Sequence, residues 1–294
     1  MRLIRSLLFA PANRADLVEK FPRYHADAFA IDLEDGTPES EKVSARRDLP
    51  RMVSTLRERG LSGQLFVRTN EPRSTHAEAD LVAALQTPVD GIMVPKLSTV
   101  ADLKRFTAAL KENEARTGRA VGLIGLVETA TGVINVEDMV CAGGAQFWGV
   151  AFGAEDFITD IGGRRTTEGL EVLYARSRVV LAARAAGLAA IDQVFVNIRD
   201  DDGFRRDAAA GRQLGFMGKM CVAPRQIDLA NEAFSPSADE IDASRRLIQV
   251  YEAARVEGRG VVEFAGQMVD APLLRRARAI VELAGRISSR TTGA

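Results

Sequence analysis

The amino-acid sequence predicts an α/β protein, a (β/α)8 TIM barrel with a helical C-terminal extension, and three observations carry that reading. Short apolar runs alternate with Ala/Leu/Arg-rich stretches of helical period, the pattern of parallel strands joined by helical crossovers. Eight such units fit into about 220 residues, as a closed barrel requires. No G-x-G-x-x-G follows the first run, which argues against an open dinucleotide-binding sheet.

The eight expected strands are SLLFAPA (6–12), AFAIDLEDG (28–36), QLFVRTN (64–70), GIMVPKL (91–97), VGLIGLVET (121–129), FWGVAFGAED (147–156), IDQVFVNI (191–198) and GKMCVAP (218–224). Between them lie amphipathic stretches such as VADLKRFTAALKENEARTG, which stops on Gly118 as helices commonly do. The barrel is expected over 1–228 and the extension over 229–294. Within the extension, DEIDASRRLIQVYEAARVEG and APLLRRARAIVELAGRI read as helices flanking a short extended piece, RGVVEFAGQMVDAP. These helices pack on their own barrel or reach a neighbouring subunit.

Composition narrows the function by exclusion. The 294 residues carry a net charge of -1 with a pI near 6.2, so nothing points to nucleic acid or a membrane surface. No apolar run approaches the roughly 18 residues of a membrane span. The start, MRLIRSLLFAPANR, has too short an apolar centre for a signal peptide and reads as a first strand. Two isolated cysteines make neither a disulfide framework nor a zinc site. The expected location is the cytoplasm.

Five of the eight expected strands end in charge: Glu34 with Asp35, Arg68, Lys96, Glu128, and Glu155 with Asp156. A barrel gathers its strand ends on one catalytic face. Glu128 and Asp156 on neighbouring ends would repel unless they share a proton or a cation. Oxygen ligands from two side chains, completed by water and substrate, suit Mg2+. His25 and His76 are the only histidines and sit in no zinc motif. His25 reads as a surface or packing residue, whereas His76, in a loop on the catalytic face, is open to either role. Lys96 reads as an ion-paired orienting group, because a Schiff-base lysine needs a desolvated amine.

These segments together resemble the citrate lyase β-subunit-like branch of the HpcH/HpaI aldolase superfamily. RSLLFAPANR, DAFAIDLEDGTP, LFVRTN, GIMVPK, VETATG, GAEDF, YARSRVVLAARAAGLAAID, GKMCVAPRQI and GQMVDAP run in family order from about residue 3 to 272. The resemblance implies a barrel, a homotrimer or dimer of trimers, a Mg2+ cofactor and chemistry on β-hydroxyacyl-CoA thioesters. It places Glu128 and Asp156 on the metal ligands, and Arg68 on the arginine that contacts the reacting oxygens. One departure is Ala223, where the family commonly has His before the proline of the eighth-strand motif. The pyruvate-dependent aldolase branch carries a catalytic His just after the second strand, and DLEDGTP has none.

The implied activity is Mg2+-dependent carbon–carbon lysis of a small β-hydroxy dicarboxylic acyl-CoA such as citramalyl-, malyl- or citryl-CoA. Rival readings are a thioesterase on the same substrates, a CoA-independent oxo-acid aldolase or synthase, and a non-autonomous subunit of a lyase complex. Arg68 would stabilise enolate charge, with Glu34 and Asp35 holding Arg68, Lys96 or metal-bound water, or else capping the next helix. Asn13 and Arg14 would meet a CoA phosphate, or Asn13 would cap a helix. The TATG amides after Glu128 offer an anion site at a helix start, or Thr129 and Thr131 simply cap it. Asp270 either caps the helix starting near Pro272 or serves as acid/base in a neighbour's active site, as a C-terminal Asp does in related lyases.

Overall fold

The computed structural model describes residues 2–256, 258 and 260–291. Eight parallel strands close into a barrel in sequence order: β1 (Ser6–Pro11), β2 (Ala28–Asp32), β3 (Gln64–Arg68), β4 (Gly91–Val94), β5 (Gly122–Val127), β6 (Phe147–Phe152), β7 (Ala189–Asp192) and β8 (Gly218–Cys221). The connecting helices are α1 (Ala15–Val18), α2 (Lys42–Glu58), α3 (Ala77–Leu85), α4 (Val100–Thr117), α5 (Ala130–Ala142), α6 (Ala154–Asp160), α7 (Leu170–Ala185), α8 (Asp201–Leu214) and α9 (Gln226–Ala233). Helix α4 is delimited as its sequence dictates. The Thr99 hydroxyl accepts from the Asp102 amide at its start, and Gly118 closes it at φ 70°, a conformation glycine adopts without strain.

All eight expected strands overrun the observed C-terminal ends, Lys96 falling just past β4 for example, and the overruns of β2, β6 and β7 are the largest. β2 ends at Asp32, so Glu34 and Asp35 lie in the following turn. β6 ends at Phe152, and Glu155 and Asp156 belong to the first turn of α6. β7 begins at Ala189 and ends at Asp192, so most of IDQVFVNI leaves the sheet. Hydrogen bonds draw that segment away: the Gln193 side-chain Nε2 donates to Asp207 and the Phe195 carbonyl accepts from Gln226 Nε2.

Inward side chains fill the shaft in the alternation a strand imposes. Leu7, Ala28, Ala30, Phe66, Met93, Ile124, Leu126, Ala151, Ile191 and Met220 form one buried cluster with Ile4. The β5–β6 register shifts between Leu123 and Ile124, as at a bulge, and Trp148 packs against the inner cluster. Gly122 leaves room for it, since a β-carbon there would stand 1.8 Å from the indole. The Arg2 guanidinium lies 3.4 Å from the Trp148 ring, a cation–π contact. On the outer side of the wall, fully buried Lys219 lies 3.5 Å from Asp192 and pairs with Asp207, while Arg176 reaches Asp192 at 2.6 Å. These pairs tie α7 and α8 to β7 and β8.

The chain divides into two compact units, up to Asn231 and from Glu232 onward. The second holds α10 (Ala238–Val256), the antiparallel pair β9 (Val262–Phe264) and β10 (Gln267–Val269), and α11 (Ala271–Thr291). The extended piece is therefore a hairpin, turned by Ala265 and Gly266 at φ 51° and 76°, as two-residue loops require. Tyr251, Ala254, Val262, Val269 and Leu274 form its core.

Barrel closure rests on β8 meeting β1, where Leu7 pairs with Met220. A β-carbon on Gly218 would stand 1.8 Å from the Ile4 carbonyl oxygen, and backbone cannot swing aside. Gly218→Ala is therefore expected to cost about 3 kcal/mol or more, read as a lowered urea midpoint. An unchanged midpoint would show that the seam is slack.

Candidate active site

At the mouth the inward alternation continues into charge. Ala28 and Ala30 lead to Asp32, Phe66 to Arg68, and Ile124 and Leu126 to Glu128. A cavity of about 400 Å³ opens here, lined by Asp32, Arg68, Glu128 and Asp156 and by apolar groups from β1, β5 and β8.

Asp32 is the partner the sequence reading missed. It is 3% exposed and accepts from Arg68 Nε at 2.7 Å and Nη2 at 2.6 Å, a bidentate pair. The Glu34 and Gly36 amides each donate to it at 2.9 Å. Burial alone would raise its pKa, but the Arg68 charge and these bonds hold it below the ordinary aspartate value. Gly36 permits the turn, because a β-carbon would stand 2.4 Å from Asp32 Oδ2. Buried Lys42 clamps the same turn, donating to the Leu33 and Glu34 carbonyls and to Asn70. Asp32 and Glu34 are two residues apart in IDLEDG, the spacing of one strand face, and that was the available signal.

Glu34 bridges two cations. Its Oε1 accepts from Lys96 Nζ at 2.8 Å, and Oε2 lies 3.0 Å from Arg68 Nη1. The second contact is an ion pair without hydrogen-bond geometry. Burial, opposed by both cations, leaves the Glu34 carboxyl pushed up to about 7. Lys96 is also 3.9 Å from Asp35 and 3.8 Å from Asp156. Burial pulls its pKa down, yet Glu34, Asp35 and Asp156 carry it above the ordinary lysine range. Such an ammonium is no Schiff-base nucleophile. Capping of α2 by Glu34 or Asp35 does not occur; the residue at the α2 N-cap is Glu41.

Glu128 follows β5 directly and is 2% exposed. Its Oε1 accepts from the Lys96 amide at 2.8 Å. Lys96 reaches that position with a left-handed backbone, φ 47°, which costs a non-glycine residue about 1–2 kcal/mol. Burial raises the Glu128 pKa well above the ordinary value, and the Glu34 and Asp156 charges add to the rise. A β-carbon on Gly153 would stand 2.2 Å from Glu128 Oε2, so glycine keeps that face of the carboxylate clear. A divalent cation fits this donor set: it would supply the positive charge that Glu128 lacks and meet Asp156, which also faces the cavity. Glu155 is diverted to Arg165 at 3.0 Å. Among the described residues no three carboxylate, His or Cys side chains form a metal cage, so such a cation would keep positions for water and substrate.

The other candidates lie elsewhere. Arg14 pairs with Asp16 at 2.8 Å on the exposed surface, while Asn13 caps no helix and its buried Oδ1 has no hydrogen-bond partner. Neither lines the cavity. The TATG amides are largely taken, Ala130 by Asp160 at 2.7 Å and Gly132 by the Thr129 hydroxyl at 3.0 Å, so the anion-site expectation fails. His76 is held between Arg46 at 2.9 Å and Glu39 at 2.7 Å, and His25 is exposed. Asp270 belongs to the C-terminal unit, where its Oδ1 accepts from the Leu273 amide at 3.4 Å and its carbonyl from Leu274 at 3.1 Å, at the start of α11.

The raised Glu34 pKa fixes a sign. Folded Glu34 keeps its proton up to about 7, whereas the unfolded side chain loses it near 4.5. The folded state binds more protons across that window, so its contribution to stability falls as pH rises through it. In metal-free protein, Glu34→Gln is expected to flatten the decline in denaturation midpoint between about pH 4.5 and 7. Identical slopes in both proteins would contradict the assignment.

Comparison with known proteins identifies the family and agrees with the barrel fold. The HpcH/HpaI aldolase/citrate lyase family model matches residues 5–224. A citrate lyase subunit beta-like protein of Deinococcus radiodurans is 42% identical, the match covering 95% of this chain and 96% of that protein. The mitochondrial citramalyl-CoA lyase of Homo sapiens is 35% identical, covering 97% and 87%. Among solved structures, protein CitE of Mycobacterium tuberculosis in complex with magnesium, acetoacetate and coenzyme A superposes with a TM-score of 0.79. That match is 30% identical and covers 97% of this chain and all of CitE. With its closed eight-stranded barrel and acidic mouth, the chain belongs to the HpcH/HpaI aldolase/citrate lyase family.

Proposed function

We propose that this protein is a Mg2+-dependent carbon–carbon lyase that cleaves or forms a small β-hydroxyacyl-CoA thioester of the citramalyl-, malyl- or citryl-CoA type. One observation carries the reading. Glu128 is buried beside Glu34 and Asp156 with only a backbone amide donating to it, which a bound divalent cation would balance. One relative is a citramalyl-CoA lyase by name, another a citrate lyase subunit beta-like protein, and magnesium and coenzyme A accompany the CitE structure.

Glu128 and Asp156 hold the metal. Bound there, Mg2+ supplies Lewis acidity toward a hydroxyl and orients an adjacent carboxylate. Arg68 provides fixed positive charge for the oxygen on which thioester enolate charge develops. Asp32 takes two of its five N–H donors and sets the guanidinium plane, so the others can serve the reaction. The C–C bond pair passes to the enolate, and a base must accept the hydroxyl proton. Asp270 from a neighbouring copy of the chain is that acid/base, while its contacts within its own chain cap α11. Asn13 and Arg14, after β1, attend the CoA phosphates. The assembly is a homotrimer or a dimer of trimers. Exposed Leu170, Tyr174 and Leu181 on α7 support burial against another copy. No described helix is long and apolar enough to cross a membrane; we place the enzyme in the cytoplasm, its partners being further copies of its own chain and its small substrate.

Titration calorimetry should show Mg2+ binding to wild type and its loss, by at least about tenfold, in Glu128→Gln with the barrel still folded. Equal affinity in both would remove the metal from Glu128. Product analysis then separates lysis, which yields acetyl-CoA and an oxo acid, from thioester hydrolysis, which yields free CoA.

Subunit complementation tests Asp270. Arg68→Ala and Asp270→Ala proteins are each expected to be nearly inactive, losing about 10²-fold or more, and to regain part of the activity when refolded together. Full activity of Asp270→Ala alone would exclude the assignment.

A further inference from the structure

The active-site cavity has two unlike walls. One is ionic, and the other is made by Phe9 from β1, Met220 from β8, Val194 just after β7 and Val222 just after β8. Val194, Phe9 and Met220 pack on the barrel's inner cluster, which holds this wall in place. Val222 is 43% exposed and faces the same space.

The cations on the ionic wall are already committed: Arg68 is tied to Asp32 and Glu34, and its remaining donors are assigned to the developing enolate oxygen. Among the described residues Arg68 is the single cationic side chain that lines the cavity, against five carboxylates, of which Glu155 pairs with Arg165 while Glu128 and Asp156 are assigned to the metal. Arg68 is pinned by Asp32 at 2.6 and 2.7 Å and lies 3.0 Å from Glu34. Nearby Lys96 is engaged by Glu34 at 2.8 Å. A substrate carboxylate held with the hydroxyl by a cation at Glu128 and Asp156 is neutralised. A second carboxylate, carried by a substituent of that carbon, would find no uncommitted cation and would lie against the apolar wall or beside Asp35. Burying an unpaired charge is costly, whereas an alkyl group on that wall gains by leaving water.

We infer that Val194, Met220 and Val222 set the specificity of this site for a thioester whose hydroxyl-bearing carbon carries one carboxylate and one uncharged alkyl group. The inference rests on the lyase reading and narrows it. The acyl chain R–C(OH)(COO⁻)–CH2–CO–S breaks between the hydroxyl-bearing carbon and the CH2. The hydroxyl proton goes to the base, the bond pair goes to the thioester enolate, and the enolate carbon is then protonated. The products are a 2-oxo monocarboxylate, R–CO–COO⁻, and an acetyl thioester. With R as methyl the substrate fits, whereas with R as carboxymethyl it carries the unmatched charge.

The test separates binding from turnover. Calorimetry on Mg2+-loaded wild type compares pyruvate with oxaloacetate, which differ only in that extra carboxylate. Pyruvate is expected to bind at least about tenfold more tightly. In parallel, citramalyl-CoA is expected to exceed citryl-CoA in kcat/KM by about 10²-fold. Val222→Lys places a cation on the exposed part of the apolar wall. It should shrink both ratios at least about tenfold while leaving Mg2+ affinity unchanged. Oxaloacetate binding as tightly as pyruvate in wild type, or ratios unmoved by Val222→Lys, would overturn the inference. If neither thioester is cleaved, the lyase reading fails, and the binding comparison still decides the specificity of the cavity.

Discussion

Strand parity is the constraint from which the site follows. Eight closely spaced parallel strands leave a shaft with room for apolar side chains only, and every second residue must enter it. The last inward positions lie at the mouth, where the wall meets water and charge becomes tolerable. Asp32, Arg68 and Glu128 occupy those positions on β2, β3 and β5 or immediately after them. Their convergence therefore needs no loop to gather them. Packing of Phe66, Ile124 and Leu126 below them fixes where the functional groups stand, so core and site are one arrangement.

Ion pairing then orders the groups that parity has assembled. Asp32 grips Arg68, Arg68 and Lys96 flank Glu34, and the Lys96 backbone reaches Glu128. Within this network Glu128 is the carboxylate without an ion-pair partner, and its amide contact is too little for a buried carboxylate. Functional sites are where such imbalances concentrate. Left-handed Lys96 carries backbone strain at the same place, held by the amide bond it makes to Glu128.

The barrel was legible in the sequence because hydrophobic periodicity survives without tertiary knowledge. Glu34, Lys96, Glu128 and Asp156 were visible as charges closing apolar runs. Asp32 was not, because it stands inside an apolar run and its meaning depends on Arg68, thirty-six residues on. Strand ends were overextended at Glu155 and Asp156 for a related reason: the helix start at Ala154 follows a glycine without a side-chain cap, so no residue marks it. The Ala130 amide looked available until Asp160 was found bonded to it, a contact across thirty residues that no local pattern records. The fold of the hairpin after α10 was reduced to an extended piece because the turn is Ala-Gly rather than the usual Asn-Gly or Asp-Gly.

Gly153 carries a consequence for how this site can change over generations. Its missing side chain is the space into which the Glu128 carboxylate projects, so the two positions are not free to drift separately. A lineage that keeps the acid must keep the bare backbone opposite it, whatever substrate it adopts. A lineage that gives up the acid frees position 153 for any residue of moderate size, and once that residue has packed in, restoring Glu128 meets a collision. Loss of the carboxylate therefore works as a ratchet, and glycine at 153 marks a chain in which it has not yet turned.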